Sequence, residues 1–246
     1  MVAITFAQTR EIIFLESKAL LWRIVFTNDT IPMKKLTFSI FALALLLTGC
    51  RLGGIRGNGH IVTDQRSIGN FNELDAGGMF EIEWRGGPPS VSITTDQNLL
   101  EYIDSEVSDN HLRLRTQEHF WPTHGVKVIV SSPARNGAKL SGAVDLTAKQ
   151  LTGPKFYFQS TGAAKVRLDG AADELLADMT GASELDANDL PTKRAEISTT
   201  GAADAEVNVS DSLKVSITGA GKVTYSGNPP AIEKHITGAG SIRHRD

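Results

Sequence analysis

A single cysteine, Cys50, stands in 246 residues, so the chain has no intramolecular disulfide to hold it together. Long apolar runs are missing as well. The best, Leu36 to Leu47, falls short of the roughly 20 residues that a membrane-spanning helix needs. Clusters of Lys and Arg interleaved with aromatics are absent, and from Cys50 onward 20 Lys and Arg face 25 Asp and Glu, a net charge of about −5. That balance excludes a basic nucleic-acid footprint, and nucleic acid is not expected as a partner. No glycine triplet resembles a phosphate-binding fingerprint and no histidine spacing matches a metal motif, so neither cofactor nor metal is expected.

What the chain does contain is a beat. Ser141-Gly142-Ala143, Thr161-Gly162-Ala163, Thr180-Gly181-Ala182, Thr200-Gly201-Ala202, Thr218-Gly219-Ala220 and Thr237-Gly238-Ala239 follow one another at intervals of 20, 19, 20, 18 and 19 residues. Spacing that constant is a structural period. Four residues after each glycine come Leu146, Val166, Leu185, Ala205, Val223 and Ile242, with polar or charged residues on either side. Before the glycines Phe156 and Phe158, or Leu213, Val215 and Ile217, alternate in the same way. This is strand periodicity, one side chain in and the next out. Helical repeats have periods of about 33 residues or more, which this spacing does not approach. The expected fold is therefore all-β, a single-stranded, right-handed parallel β-helix of coils of about 19 residues with a small amino-terminal cap. Glycine suits the corners because it accepts positive φ and close backbone approach.

Stacking predicts which charges meet. Three residues after the glycines come Asp145, Lys165, Glu184, Asp204, Lys222 and Ser241, a ladder in which only Glu184 beside Asp204 is like-signed. With Asp186 and Glu206 two residues further on, these four carboxylates form a candidate acidic patch, able in principle to hold a hard cation or act as acid and base. A hydrated patch that keeps the surface soluble is the plainer account.

The amino end carries an address. Met33-Lys34-Lys35, the short apolar run and Leu47-Thr48-Gly49-Cys50 together resemble the bacterial lipoprotein signal, or lipobox. That resemblance implies lipidation of Cys50, attachment to a membrane through the lipid and a place in the cell envelope. With Arg51 rather than Asp after the cysteine, it points to the outer membrane, facing either the periplasm or the surface. Residues 1–32 read as a gene-model extension before translation starts at Met33, 33–49 as the signal peptide and 50–69 as anchor and tether. Residues 70–139 read as the β-rich cap and first coils, and 140–246 as the regular repeats.

In the cap, Phe80 to Trp84 and Val91 to Thr94 alternate like strands, Asp96 is placed to cap a short helix running through Leu99 and Leu100 to Val107, and strands return at His111 to Arg115 and Val126 to Val130. Gly77-Gly78 before a strand, the Asp96 to Val107 segment, the Leu112-Arg113-Leu114 strand and the recurrent Thr-Gly-Ala corners together resemble the putative auto-transporter adhesin head GIN domain family of bacterial envelope proteins, over about residues 70–242. The resemblance implies an exported β-helical domain, often lipid-anchored, and brings no catalytic motif.

Three classes then compete. A binding or adhesion module would use the flat face or the Phe120-Trp121 loop, where an aromatic ring can stack on a sugar, with a glycan or another envelope protein as partner. The same two aromatics can instead form a lid over the first coil. A structural or assembly lipoprotein is the second class. A polysaccharide lyase or hydrolase is the third, and it has only fold analogy and generic stacked charges behind it, so an enzyme is not expected.

Overall fold

The computed structural model describes residues 53–245. The proposed gene extension, the signal peptide and Cys50 lie outside the described residues. The described chain is all-β apart from one 3-10 helix. The amino-terminal strands are β1 (Ile55–Arg56), β2 (Ile61–Arg66), β3 (Glu73–Gly86) and β4 (Ser90–Asp96). After the 3-10 helix (Gln97–Tyr102) come β5 (Ile103–Ser108), β6 (His111–Thr116), β7 (Phe120–Trp121) and β8 (Lys127–Ser132). The repeat region supplies β9 (Gly137–Gly162), β10 (Lys165–Gly181), β11 (Glu184–Gly201), β12 (Asp204–Gly219), β13 (Lys222–Ser226), β14 (Ala231–Gly238) and β15 (Ser241–His244).

From β9 onward every pairing is parallel. The glycines are the register marks: Gly162 lies beside Gly181, Gly181 beside Gly201, Gly201 beside Gly219 and Gly219 beside Gly238. Each has positive φ, from 113° to 120°, and a Cβ built on any of Gly162, Gly181, Gly201, Gly219 or Gly238 would stand 2.4–2.7 Å from the preceding glycine's carbonyl oxygen. That carbonyl is in use, since Ala182, Ala202, Ala220 and Ala239 each donate their N–H to it at 2.8–2.9 Å. The corner thus needs glycine for two reasons, conformation and closeness.

The stack has one more member. β3 pairs with β9 over twelve residues, which sets Gly78 beside Gly142. The chain between β3 and β9 adds antiparallel pairs, β4 with β2 and β8, and β5 with β6. The sheet is therefore mixed and open, ending at β2 on one side and β15 on the other: all-β as expected, with the expected parallel pairing over the repeat region and antiparallel pairs at the amino-terminal end. Parallel order holds where the period holds. Antiparallel order appears where short turns reverse the chain, as at Asp109 and Asn110, whose φ values of 52° and 65° fit a two-residue hairpin.

Two further expectations change. The segment read as a helix to Val107 is a six-residue 3-10 helix followed by a strand, and Asp96 makes no side-chain cap bond to it. Part of the segment read as tether forms strands: β1 pairs with β7 in a separate two-stranded sheet, and β2 joins the large sheet beside β4.

The core is the column of inward side chains. Leu146, Val166, Leu185, Ala205 and Val223 are all buried, and large faces small where Phe158 lies beside Ala177 and Ala177 beside Ile197. Each such large side chain contributes about 1.5–3 kcal/mol on burial. At the amino end Trp84 is fully buried, stacked on Phe71 at 6.2 Å, with its indole N–H donated to Ser132 Oγ at 2.9 Å. Arg135 is buried beside it and donates to the carbonyls of Trp84, Lys149 and Gln150, and burial pushes its guanidinium below the usual value.

Candidate functional site

The Phe120-Trp121 pair is divided by strand alternation. Phe120 points into the core while Trp121 is 42% exposed. The strand is held by β1: Ile55 N–H donates to the His119 carbonyl at 3.0 Å and Gly57 N–H to the Trp121 carbonyl at 2.9 Å. The indole meets the His119 imidazole edge-on, with centroids 4.7 Å apart. A Cβ on Gly54 would stand 2.9 Å from Trp121 Nε1, so glycine there lets the ring settle against the backbone. Beside it is a hollow of about 190 Å³ floored by Gly142, Ala143 and Phe120, with Met79 exposed at its rim.

Asp96 secures this corner. Fully buried, it accepts hydrogen bonds from Gly59 N–H at 2.7 Å, Thr123 N–H at 2.8 Å and Thr123 Oγ1 at 2.7 Å. Burial alone would raise its pKa, but the donors from Thr123 and Gly59 outweigh it and hold the carboxyl below the ordinary carboxylate range. The amino-terminal segment, the end of β4 and the loop after Trp121 are thereby tied at one carboxylate.

The four acidic residues are brought together as the ladder predicts, with Glu184 beside Asp204 and Asp186 beside Glu206. Each of three has a cation of its own: Glu184 has Lys165 at 3.0 Å, Asp186 has Arg167 at 3.1 Å and Glu206 has Arg245 at 2.6 Å. Asp204 sits between Glu184 and Lys222 in register. Asn188 Nδ2 bridges the second pair, donating to Glu206 at 2.6 Å and Asp186 at 3.2 Å. Glu206 is held below the usual carboxylate range, first by Asn188 and then by Arg245. Catalytic acids need the opposite shift. Among the described residues no three His, Cys, Asp or Glu side chains are grouped to hold a metal ion.

The histidines do not converge. His111 Nδ1 lies 3.3 Å from Glu73, His119 meets Trp121 and His124 Nδ1 lies 3.2 Å from Thr123 Oγ1.

The sequence pattern had not indicated a polar cleft of about 400 Å³ in which Glu73, His111, Arg113, Lys139, Tyr157 and Gln159 meet. No local signal marks it, because β3, β6 and two stretches of β9 reach it from positions far apart in the chain. Its pairings are the signal: Asp75 lies beside Arg113 on one edge and beside Lys139 on the other.

Outside the cleft, the same outward face carries Thr161, Thr180, Thr200, Thr218 and Thr237 as an in-register row. An all-β scaffold with an in-register row of polar side chains, an exposed tryptophan and mostly ion-paired carboxylates is the class of protein that fold and surface define. The chain belongs to the family described as putative auto-transporter adhesin, head GIN domain, which matches residues 70–229. Among curated proteins, none matches in sequence.

Solved structures share the fold. A putative adhesin from Bacteroides fragilis superposes with a TM-score of 0.65 at 22% identity, covering 78% of this chain and all of that one. A putative lipid-binding protein from Parabacteroides distasonis gives 0.55 at 20% identity, covering 79% of this chain and all of its own. A putative adhesin from the same species gives 0.52 at 21%, covering 78% of this chain and all of its own.

Proposed function

We propose that this chain is an exported envelope protein, anchored by lipid on Cys50, that works as a non-catalytic, adhesion-type binding module at the outer membrane. Its scaffold in this reading is a parallel β-helix over the repeats. The observation that carries the reading is the outer face. In-register parallel strands present polar side chains in rows, and Trp121 stands exposed on the separate β1–β7 pair. Family membership supports adhesion, and the lipobox-like stretch before Cys50 supports the anchor. Against catalysis stand the carboxylates themselves: where strands bring them together, Lys165 pairs with Glu184, Arg167 pairs with Asp186, and Asn188 and Arg245 hold Glu206 below the usual carboxylate range.

Two experiments test it. In cells fed labelled palmitate, the protein carries label and Cys50→Ser does not; equal labelling sinks the anchor. On a glycan array, binding by the purified full-length protein falls with Trp121→Ala if the exposed aromatic takes part. A single envelope partner captured by crosslinking, with no glycan signal, favours a structural role instead.

A further inference from the structure

Three stretches far apart in sequence bring a distinctive charge arrangement to the face beside β3. On one edge of β3 lies β6, with His111 beside Glu73 and Arg113 beside Asp75. On the other lies the start of β9, with Gly137 beside Glu73 and Lys139 beside Asp75. A later stretch of β9 adds Tyr157 and Gln159, and the cleft between them measures about 400 Å³.

We propose that this cleft binds an acidic sugar unit, a saccharide bearing a carboxylate or sulfate, within a glycan chain. The proposal rests on reading the protein as a binding module and names the site and ligand class of that module.

The charges carry it. Each carboxylate at the cleft is already engaged. Glu73 has His111 Nδ1 at 3.3 Å, Asp75 has Arg115 Nη2 at 2.8 Å and Asp109 accepts from Ser108 Oγ at 3.3 Å. Arg113 and Lys139 are the contrary case: both are exposed and, among the described residues, neither makes an ion pair or a hydrogen bond, although exposed Glu106 stands across from Arg113 on β5. They flank Asp75 from the two neighbouring strands, so their Cα atoms are two strand spacings apart, about 9.6 Å. Side chains of that length can close on one anionic group from both sides, and guanidinium matches carboxylate or sulfate geometry.

The aromatic supplies the second half of the site. Gly137 has no side chain, and a Cβ there would stand 2.7 Å from the Tyr157 carbonyl oxygen, so Tyr157 lies close against the neighbouring strand. Its half-exposed ring offers a face to a sugar. Burial first, then Asp178 and Glu73, raise the phenol pKa, which keeps the hydroxyl protonated as a donor. Gln159 adds amide donors and an acceptor beside it. Asp178, paired with Gln159 on the next strand, ends the basic ground and confines the anionic group to the region above β3.

The test uses the full-length protein and three soluble polymers: polygalacturonate, dextran sulfate and uncharged dextran. The expected result is binding to an acidic polymer and not to dextran, weakening as salt is raised. The polygalacturonate arm reads carboxylate recognition and the dextran sulfate arm reads sulfate. Arg113→Gln with Lys139→Gln weakens binding about tenfold or more without moving the thermal unfolding midpoint. Tyr157→Ala weakens it several-fold, and Asp178→Asn tightens it. Binding of the double variant at wild-type strength, equal binding of dextran, or no binding of either acidic polymer overturns the site. Retained binding to a neutral glycan, lost on Trp121→Ala, would leave the adhesion reading standing while this site falls.

Discussion

Glycines and one aspartate show most clearly how single residues set this structure. At Gly201, φ is 115° and a Cβ would stand 2.6 Å from the Gly181 carbonyl oxygen that Ala202 N–H uses. Gly201→Ala is expected to cost about 1–3 kcal/mol in chemical denaturation, from backbone strain alone and before the clash is counted. Asp96 gives a prediction in pH. Its folded pKa is depressed, so its contribution to stability is present above the ordinary carboxylate range and is lost as pH falls through that range and below. Thermal midpoints of wild type and Asp96→Asn should therefore differ at neutral pH and converge in acid; a constant gap would contradict the assignment. The sequence reads Asp96 as a helix cap and not as a core residue, because its donors Gly59 and Thr123 come from segments 37 and 27 residues away.

Elements show where periodicity suffices and where it fails. Strands β10 to β12 were legible because glycine, apolar and charged positions all recur with one period, and each of these signals fixes the same register. The segment after Asp96 was misread because Leu99, Leu100, Ile103 and Val107 fit helical spacing as well as they fit a turn followed by Ile103-x-Ser105-x-Val107. The deciding signal was Asp109-Asn110, a hairpin pair that makes β5 and β6 partners. Gly78 went unrecognised as a stack member because inserted hairpins separate it from Gly142. The last layer supplies a test. Ile217 is fully buried between its neighbours, whereas Ile236 on β14 lies on an open edge and is 42% exposed. Ile217→Ala should cost about 2–5 kcal/mol and Ile236→Ala less than about 1, by urea unfolding. Equal costs would mean that something covers β14.

On the scale of the whole molecule, the in-register strands make a polar face and leave the chemistry to what the strand period does not explain. The acidic patch is visible in sequence as the break in charge alternation, and so is Lys165 one period earlier, whereas Arg167 and Arg245 emerge as its partners only in the structure. The cleft beside β3 was not legible, because it depends on β3 pairing with both β6 and β9. No single stretch of sequence contains it. The acidic patch makes a specific forecast: Asp204, the one of its four carboxylates without an ion pair of its own among the described residues, is exposed, and Asp204→Asn should shift stability by less than about 0.5 kcal/mol and leave ligand binding unchanged. Binding without turnover is the central claim, and one measurement addresses both parts. The purified full-length protein is incubated with a panel of neutral and acidic polysaccharides, and bound protein and polymer chain length are followed in the same samples. The account predicts retention on an acidic glycan with chain length unchanged; shortening of any polymer, abolished by Asp204→Asn, would contradict it.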